Sequence, residues 1–219
     1  MAFENNIYVF GGYDGVNRKN DFYKYNVETN TWAQLQVAGQ QPHPAGSLAA
    51  ASDANLPSPR DRHVAVVHNR SIYIFGGYDG FNRVNDFFEY SVDNSAWQEV
   101  LCSGAGGGAA PTPRHSHSAV VYEDSLYVFG GYDGHYRNDF YRFNFGTNAW
   151  SQINLKPNGN AVWPKSRYRT STTVYKDMMF LFGGHDGARQ LNDFYCFNFS
   201  NVQPDDINYS DGNVDFGGI

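Results

Sequence analysis

The chain has 219 residues, of which 41% are hydrophobic, 17% aromatic and 17% charged, with a formal net charge of −6. This length fits one domain, and the acidic balance excludes nucleic acid or an anionic membrane as a partner bound through bulk attraction. No apolar run is long enough for a membrane span, and the first residues lack the basic start of a signal peptide, so we expect a cytoplasmic protein without membrane insertion.

In chain order, one set of motifs returns four times. The motif Phe-Gly-Gly-Tyr-Asp-Gly, with His for Tyr in the last copy, starts at Phe10, Phe75, Phe129 and Phe182. Asn-Asp-Phe follows at Asn20, Asn85, Asn138 and Asn192, and a tryptophan follows in three copies at Trp32, Trp97 and Trp150. An arginine stands 16 positions before the first glycine at Arg60, Arg114 and Arg167. Such repetition indicates an array of equivalent units.

Each unit predicts four short antiparallel strands, a to d. Strand a covers 63–67, 117–122 and 170–175. Strand b is a continuous apolar run into the glycine pair, at 7–10, 72–75 and 126–129, and such runs are typical of strands buried on both faces. Strand c alternates, and strand d starts at the tryptophan. The glycines fit positions of close backbone approach or positive φ.

This pattern resembles the kelch repeat over essentially the whole chain. The segments Tyr-Asp-Gly-x-x-Arg-x-Asn-Asp-Phe and Pro-Arg-His-Ser-His-Ser-Ala-Val-Val-Tyr are most similar to the leucine-zipper-like transcriptional regulator subfamily of kelch–BTB adaptors. The resemblance implies an all-β fold, a kelch β-propeller in which each repeat forms one four-stranded blade. With four repeats, we expect an incomplete or open propeller, part of a six-bladed type.

We expect the kelch domain to span residues 1–199, with blades at about 1–37, 58–101, 111–154 and 165–199. A loop insertion covers 38–57, and a polar tail covers 200–219. Aligned by its glycines, the first blade begins inside strand a, and Pro204 stands where a fourth tryptophan would be. An open ring is expected to have edges through which chains self-associate. The alternative is that the tail completes blade one as its inner strand.

Arginines gather in the b–c and d–a loops, which emerge at one end of an antiparallel meander. These loops hold nine of the 11 arginines, and Arg18, Arg83 and Arg137 recur in the b–c loops. The shared register of Arg60, Arg114 and Arg167 indicates a structural role, as does that of the tryptophans, which we expect to pack between blades. The aspartates of Asn-Asp-Phe are expected to bind turn amides. The candidates for partner binding are the positions that differ between repeats, together with the three recurring b–c arginines: Arg62, Phe81, His115, His135, Tyr136, Tyr168, Arg169 and Arg189, with Arg18, Arg83 and Arg137.

Arginine with interspersed aromatic residues is typical of protein-recognition surfaces, and guanidinium groups suit carboxylates and phosphates. We therefore expect a non-catalytic module that binds a protein, an acidic peptide or a phosphopeptide. The family resemblance implies substrate recognition for a cullin-type ubiquitin ligase adaptor, a role that requires BTB domains in a longer parent chain.

Two alternatives remain open: a kelch-type enzyme (sugar oxidase or epimerase) and a cytoskeletal scaffold propeller. The motifs of serine hydrolases, phosphate-binding loops and zinc proteases are absent from the sequence, so no catalytic residue or cofactor is expected. His115 and His117 would share a strand face, but His117 has the register of His63, which favours a structural role over a metal site. Cys102 and Cys196 are too few for a disulfide framework or a thiolate metal site.

Overall fold

The computed structural model describes residues 1–35, 56–102, 108–154 and 162–201, together with the backbone of 216–218. Within these residues, sixteen strands form four antiparallel sheets of four strands each. The sheets follow one another along the chain as four blades, which confirms the all-β propeller. The loop insertion expected at 38–57 lies outside the described residues, except for its last two positions.

Each blade contains strands a, b, c and d in that order. Blade 1 consists of β1 (Ala2–Phe3), β2 (Asn6–Tyr13), β3 (Arg18–Asn26) and β4 (Thr31–Gln34). Blade 2 consists of β5 (Val64–His68), β6 (Ser71–Tyr78), β7 (Arg83–Ser91) and β8 (Ala96–Glu99). Blade 3 consists of β9 (Ser118–Tyr122), β10 (Ser125–Tyr132), β11 (Tyr136–Asn144) and β12 (Ala149–Gln152). Blade 4 consists of β13 (Ser171–Tyr175), β14 (Met178–His185), β15 (Gln190–Asn198) and β16 (Phe216–Gly218). A 3-10 helix, Phe199–Asn201, follows β15, and the described part of the chain has no helix long and apolar enough to cross a membrane.

Strand b extends beyond its apolar run because the two glycines remain in the sheet as a β-bulge. In blade 3 the register of β10 against β11 shifts between Phe129 and Gly131. Gly130 has a φ of +62°, and a Cβ there would lie 2.8 Å from the carbonyl oxygen of Arg167 in blade 4. The glycine therefore lets two blades approach each other where no side chain fits.

The hydrophobic core consists of three layers, each between two consecutive blades. A tryptophan in strand d faces the preceding blade in two of them. The ring centroid of Trp97 lies 5.3 Å from that of Phe10 in blade 1, and Trp150 lies 4.9 Å from Phe75 in blade 2. Both tryptophans are buried, so their predicted packing role is confirmed. The prediction is wrong for Trp32, which is exposed because no described blade precedes blade 1.

The end of the chain supplies a strand where a polar tail is expected. Phe216–Gly218 pair antiparallel with Tyr195–Phe197, so β16 is the outer strand of blade 4. Phe216 lies opposite Phe197, at the register where Trp150 lies opposite Phe143. The alternative in which the tail completes blade one is therefore wrong. The physical reason is that the outer edge of β15 has unpaired backbone groups, which a fourth strand satisfies.

The a strands lie innermost and surround a central channel. A cavity of about 290 Å³ is lined by residues of all four a strands, among them Ala2, Ala65, Val120 and Thr172. Because the d–a loops lead directly into these strands, their last residues lie at the mouth of the channel.

Candidate functional site

The b–c and d–a loops emerge at the same end of the blades, which we call the loop end. Isolated bridges join each d–a loop to the last residue of strand b in its own blade: Asp61 with Tyr78, His115 with Tyr132, and Tyr168 with His185. The predicted sorting of loops is therefore confirmed, and all candidate residues of both loop sets lie at this end.

Three arginines of this end are fully buried: Arg60, Arg114 and Arg167. The guanidinium of Arg114 donates to both carboxylate oxygens of Asp139, at 2.6 and 2.9 Å, and to the carbonyl oxygen of Gly130 at 3.0 Å. The same pairs form in the neighbouring blades, Arg60 with Asp86 and Arg167 with Asp193. The predicted structural role of these arginines is confirmed, and their guanidinium groups are not available to a partner.

The aspartates of three Asn-Asp-Phe motifs thus bind arginine, and the expectation that they bind turn amides is wrong. A buried guanidinium requires a counter-charge, and the two oxygens of a carboxylate match its parallel N–H groups. The turn amides are bound instead by the aspartate of Tyr-Asp-Gly. In blade 2, Oδ1 of Asp79 accepts the N–H groups of Phe81 and Asn82 at 2.7 and 2.6 Å.

Arginine side chains of one blade lie on tyrosine rings of the next. The guanidinium carbon of Arg18 lies 4.5 Å from the ring centre of Tyr78, and that of Arg83 lies 5.3 Å from the ring centre of Tyr132. The negative face of an aromatic ring attracts a cation at this distance. The contacts therefore hold both guanidinium groups at the surface in a defined orientation.

Blade 3 carries a tyrosine where blades 1 and 2 carry these arginines. Its b–c loop is one residue shorter, so Tyr136 begins strand c and pairs with Tyr132, at the register of Arg18 and Arg83. The ring of Tyr136 packs between two tyrosines, with its centroid 5.1 Å from that of Tyr132 and 5.3 Å from that of Tyr168.

Arg137 falls one position further along β11, so its grouping with Arg18 and Arg83 is wrong. Its guanidinium lies 2.7 Å from the carboxylate of Asp133. Burial alone would raise the pKa of Asp133, but hydrogen bonds from Arg137 and Thr112 hold this pKa below its usual range. Much of the charge of Arg137 is therefore neutralised within its own loop.

A second layer of the loop end lies nearer the channel. Arg62, Ser116 and Arg169 share one register in three d–a loops, and all three have a left-handed backbone with φ between 56° and 59°. The N–H of Ser116 donates to the carbonyl of Arg62 at 2.8 Å, and the N–H of Arg169 donates to the carbonyl of Ser116 at 2.8 Å. We call this backbone chain the inner ring. It fixes the backbone positions from which the exposed side chains of Arg62 and Arg169 extend at the channel mouth.

His115 lies buried beside the inner ring, with Nδ1 3.1 Å from the hydroxyl of Ser116. Burial, reinforced by the charges of Arg62 and Arg83, lowers the pKa of His115 to about 4. The charge of Arg169 acts in the same direction. The imidazole is therefore neutral at physiological pH, and three guanidinium groups lie near enough to disfavour its protonation.

Asp61 offsets part of this positive charge. Its carboxylate accepts a hydrogen bond from Nε of Arg18 at 2.7 Å and lies 3.1 Å from Nε of Arg62. Within the described part of the chain, Arg83 and Arg169 form no ion pair. The cluster of Arg18, Arg62, Arg83 and Arg169 thus keeps a net positive charge in an acidic protein.

The tips of the b–c loops form the outer rim of the loop end. Phe81, at the tip of the b–c loop of blade 2, is almost fully exposed. In the b–c loops of blades 3 and 4, the side chains of His135 and Arg189 are also exposed. Nε of Arg189 lies 3.8 Å from the carboxylate of Asp186. An exposed aromatic ring two residues from Arg83 gives the rim an apolar contact point beside the charged cluster.

Among the residues that the structure describes, no group of three or more His, Cys, Asp or Glu side chains is placed to hold a metal ion. The rings of His115 and His117 lie in different surroundings. That of His117 is buried in the junction of blades 2 and 3, 5.4 Å from Phe75, whereas that of His115 lies 5.5 Å from Tyr132. Burial lowers the pKa of His117 to about 3, which agrees with the structural role predicted from its register.

Comparison with known proteins decides the family. The sequence profile of the KLHDC2/KLHL20/DRC7 kelch-repeats domain matches residues 4–156 and again residues 105–214. The chain belongs to the kelch-repeat family.

Leucine-zipper-like transcriptional regulator 1 of Homo sapiens is 31% identical over 203 residues, which cover 91% of this chain and 22% of that protein. Kelch domain-containing protein 1 of Mus musculus is 31% identical over 204 residues, which cover 81% of this chain and 46% of that protein. Kelch domain-containing protein 10 of Homo sapiens is 26% identical over 205 residues, covering 91% and 43%. The chain spans less than half the length of these relatives.

Sequence reasoning missed two residues of the loop end of this kelch propeller. Asp61 shares the variable register of His115 and Tyr168, so the rule that selected those two also selects Asp61. Ser116 shares the register of Arg62 and Arg169, but its small side chain gave no signal. Its role lies in its backbone N–H and carbonyl groups, which a comparison of side chains does not reveal.

Proposed function

We propose that this kelch propeller is a protein-recognition module whose loop end binds an acidic or phosphorylated segment of a partner protein. The observation that carries the proposal is the cluster of Arg62, Arg83 and Arg169 around the buried, neutral His115. This cluster carries a net positive charge in a net-acidic chain, and such a local field attracts anionic groups.

The geometry of the cluster suits a carboxylate or a phosphate. A guanidinium presents parallel N–H donors that match two oxygens of one anion. Arg83 is held on Tyr132, and the inner ring fixes the backbone of Arg62 and Arg169. Because Arg83 is already oriented and the other two arginines extend from a fixed backbone, binding costs less conformational entropy than it would on a flexible loop. Exposed aromatic rings of Phe81 and Tyr136 lie beside the charges, as at recognition hot spots.

Within a longer protein, we propose that the propeller supplies substrate recognition to a cytoplasmic cullin-type ubiquitin ligase adaptor. Support comes from the resemblance to the leucine-zipper-like transcriptional regulator subfamily, with 31% identity over 91% of this chain. The same kinship favours a binding role over catalysis. Charge-assisted contacts at the loop end would then select the protein to be modified.

The test is a fluorescence-anisotropy titration of acidic and phosphorylated peptide libraries against the wild type and the Arg83→Ala, Arg169→Ala double variant. We expect binding that weakens with salt and an affinity at least about tenfold lower in the double variant. Arg142→Ala is the charge control, because Arg142 lies on β11 outside the loop end and donates to the hydroxyl of Ser125 at 2.8 Å. Unchanged affinity in the double variant, or equal binding of peptides with amides in place of the acids, would remove the proposal.

A further inference from the structure

The two end faces of the blade array have the composition of its interior junctions. Each blade packs one face on the preceding blade, here called its leading face, and the other on the following blade, its trailing face. Within the described residues, no blade covers the leading face of blade 1 or the trailing face of blade 4. Residues at these two faces therefore have the registers of core residues without their burial.

The leading face of blade 1 is apolar and exposed. Trp32 is 60% exposed, whereas Trp97 and Trp150 at the same register are 5% and 1% exposed. Ile7 and Val9 are also exposed, although the equivalent residues of blade 2 are completely buried. The rings of Tyr23 and Tyr25 flank Trp32, with centroids 6.5 and 5.1 Å away, so the surface extends beyond the indole.

The trailing face of blade 4 has the matching composition. Phe182 is 51% exposed, whereas Phe75 and Phe129 at the same register are each 1% exposed. Phe194 lies beside it with its ring centroid 6.4 Å away and is likewise exposed. Tyr175, at the end of β13, is exposed as well, while Tyr122 at its register stacks on Phe199 of the next blade at 4.1 Å.

The two end faces are complementary, because each has the composition of one side of an interior junction. At every interior junction a trailing face carrying Phe10, Phe75 or Phe129 receives a leading face of the next blade. The trailing Phe and the leading Trp lie 5.3 Å apart at the first junction and 4.9 Å apart at the second. We propose that a second copy of this chain docks head to tail, with its Trp32 packed against Phe182 and Phe194.

The interior junctions carry a backbone hydrogen bond in addition to their apolar packing. The second glycine of each pair donates its N–H to the carbonyl of the next blade's buried arginine, as Gly131 does to Arg167 at 2.9 Å. Docking of a second copy joins two separate chains, so association depends on protein concentration. Because two different surfaces meet, the association is heterologous.

The test is sedimentation velocity of the 219-residue chain across the micromolar range, with Trp32→Glu, Phe182→Glu and Leu101→Glu variants. The wild type is expected to gain mass with concentration. Trp32→Glu and Phe182→Glu each place a charge on one end face and should abolish this gain. Leu101 is exposed in blade 2, away from both end faces, so Leu101→Glu should associate like the wild type. Circular dichroism of each variant checks that it is folded.

Mixing the two end variants distinguishes head-to-tail docking from other modes. Trp32→Glu keeps an intact trailing face and Phe182→Glu keeps an intact leading face, so an equimolar mixture should form dimers and nothing larger. The emission of the remaining exposed Trp32 should shift to shorter wavelength in that mixture. A monomeric wild type at every concentration overturns the proposal, and so does a mixture that stays monomeric. Association that survives both single substitutions overturns it as well.

Discussion

At the scale of single residues, arginine has two separate roles in this protein, set by the charge that each guanidinium meets. Arg114 has no exposed surface and shares two hydrogen bonds with Asp139 of its own blade. Arg83 lies on a tyrosine ring and has no ion pair among the described residues. The first arrangement joins loop to strand, and the second leaves a positive charge at the surface where we propose that a partner binds.

Asp139→Asn is expected to lower the free energy of unfolding by about 3 kcal/mol, because it leaves the charge of Arg114 buried without a counter-ion. Urea denaturation followed by circular dichroism measures this. Asp93→Asn is the matched control, since the carboxylate of Asp93 meets Arg70 at the surface, where solvent screens the ion pair and its loss should change stability little. Equal losses in the two variants would show that burial of the pair does not matter.

At the scale of elements, the glycine pair at the end of strand b connects one blade to the next. The N–H of Gly131 donates to the carbonyl of Arg167 at 2.9 Å, and the N–H of Arg167 donates to the carbonyl of Arg137 at 2.8 Å. These bonds run between blade 3 and the loop that leads into blade 4. The bulge thus serves two purposes, because it ends the buried part of β10 and gives the next blade its hydrogen-bond partners.

Gly130→Ala is expected to destabilise the protein more than Gly15→Ala does. Both positions have positive φ, which costs a residue with a Cβ about 1–2 kcal/mol. At Gly130 the new Cβ would also lie 2.8 Å from the carbonyl oxygen of Arg167, whereas at Gly15 nothing lies within 4 Å. Thermal melts of the two variants measure the difference. Similar melting temperatures would mean that the junction between blades 3 and 4 adjusts without loss.

The elements also show how far the sequence alone leads. Strands b and d of blades 2 and 3 could be predicted, because a continuous apolar run marks strand b and a recurring tryptophan marks strand d. The place of Tyr136 could not, because a one-residue deletion in a loop becomes visible only through the pairing with Tyr132. The strand at Phe216–Gly218 carries no alternating pattern, and its position depends on the free edge of β15. Among the site residues, the sequence predicted the loop end but not which arginines are neutralised, since their aspartates are distant in sequence or differ between blades.

At the scale of the whole molecule, neutral histidines lie inside the blade junctions. The ring of His63 lies 5.5 Å from Phe10 at the first junction, and that of His117 lies 5.4 Å from Phe75 at the second. Burial lowers the pKa of His63 to about 4 and that of His117 to about 3. A proton at either site would place a charge between two apolar faces. Acid therefore acts on the contacts that hold the blades together.

The free energy of unfolding is expected to fall as the pH falls below about 6.5, the ordinary pKa of histidine. Below this pH the histidines of the unfolded chain take up protons, whereas those in the folded junctions stay neutral. Between its unfolded and its folded pKa, each such histidine lowers the free energy of unfolding by about 1.4 kcal/mol for every pH unit of acidification. His117→Phe should therefore lower the slope of unfolding free energy between about pH 6 and pH 4.5 by this amount. His135→Phe, at an exposed loop tip, is the control. An unchanged slope in His117→Phe would contradict the burial of a neutral imidazole in the second junction.

Each of the three described junctions has a hydrogen bond from the second glycine of one blade to the carbonyl of the next buried arginine, and this repetition separates two kinds of evolutionary change. A duplicated repeat brings a leading face that fits the existing trailing face and a trailing face for the next unit, so copy number can change without any new contact arising. The register of Asp61, His115 and Tyr168, in contrast, carries a different residue in each blade. Duplication would therefore extend the scaffold, while substitution at the loop end would change the surface that we propose binds a partner.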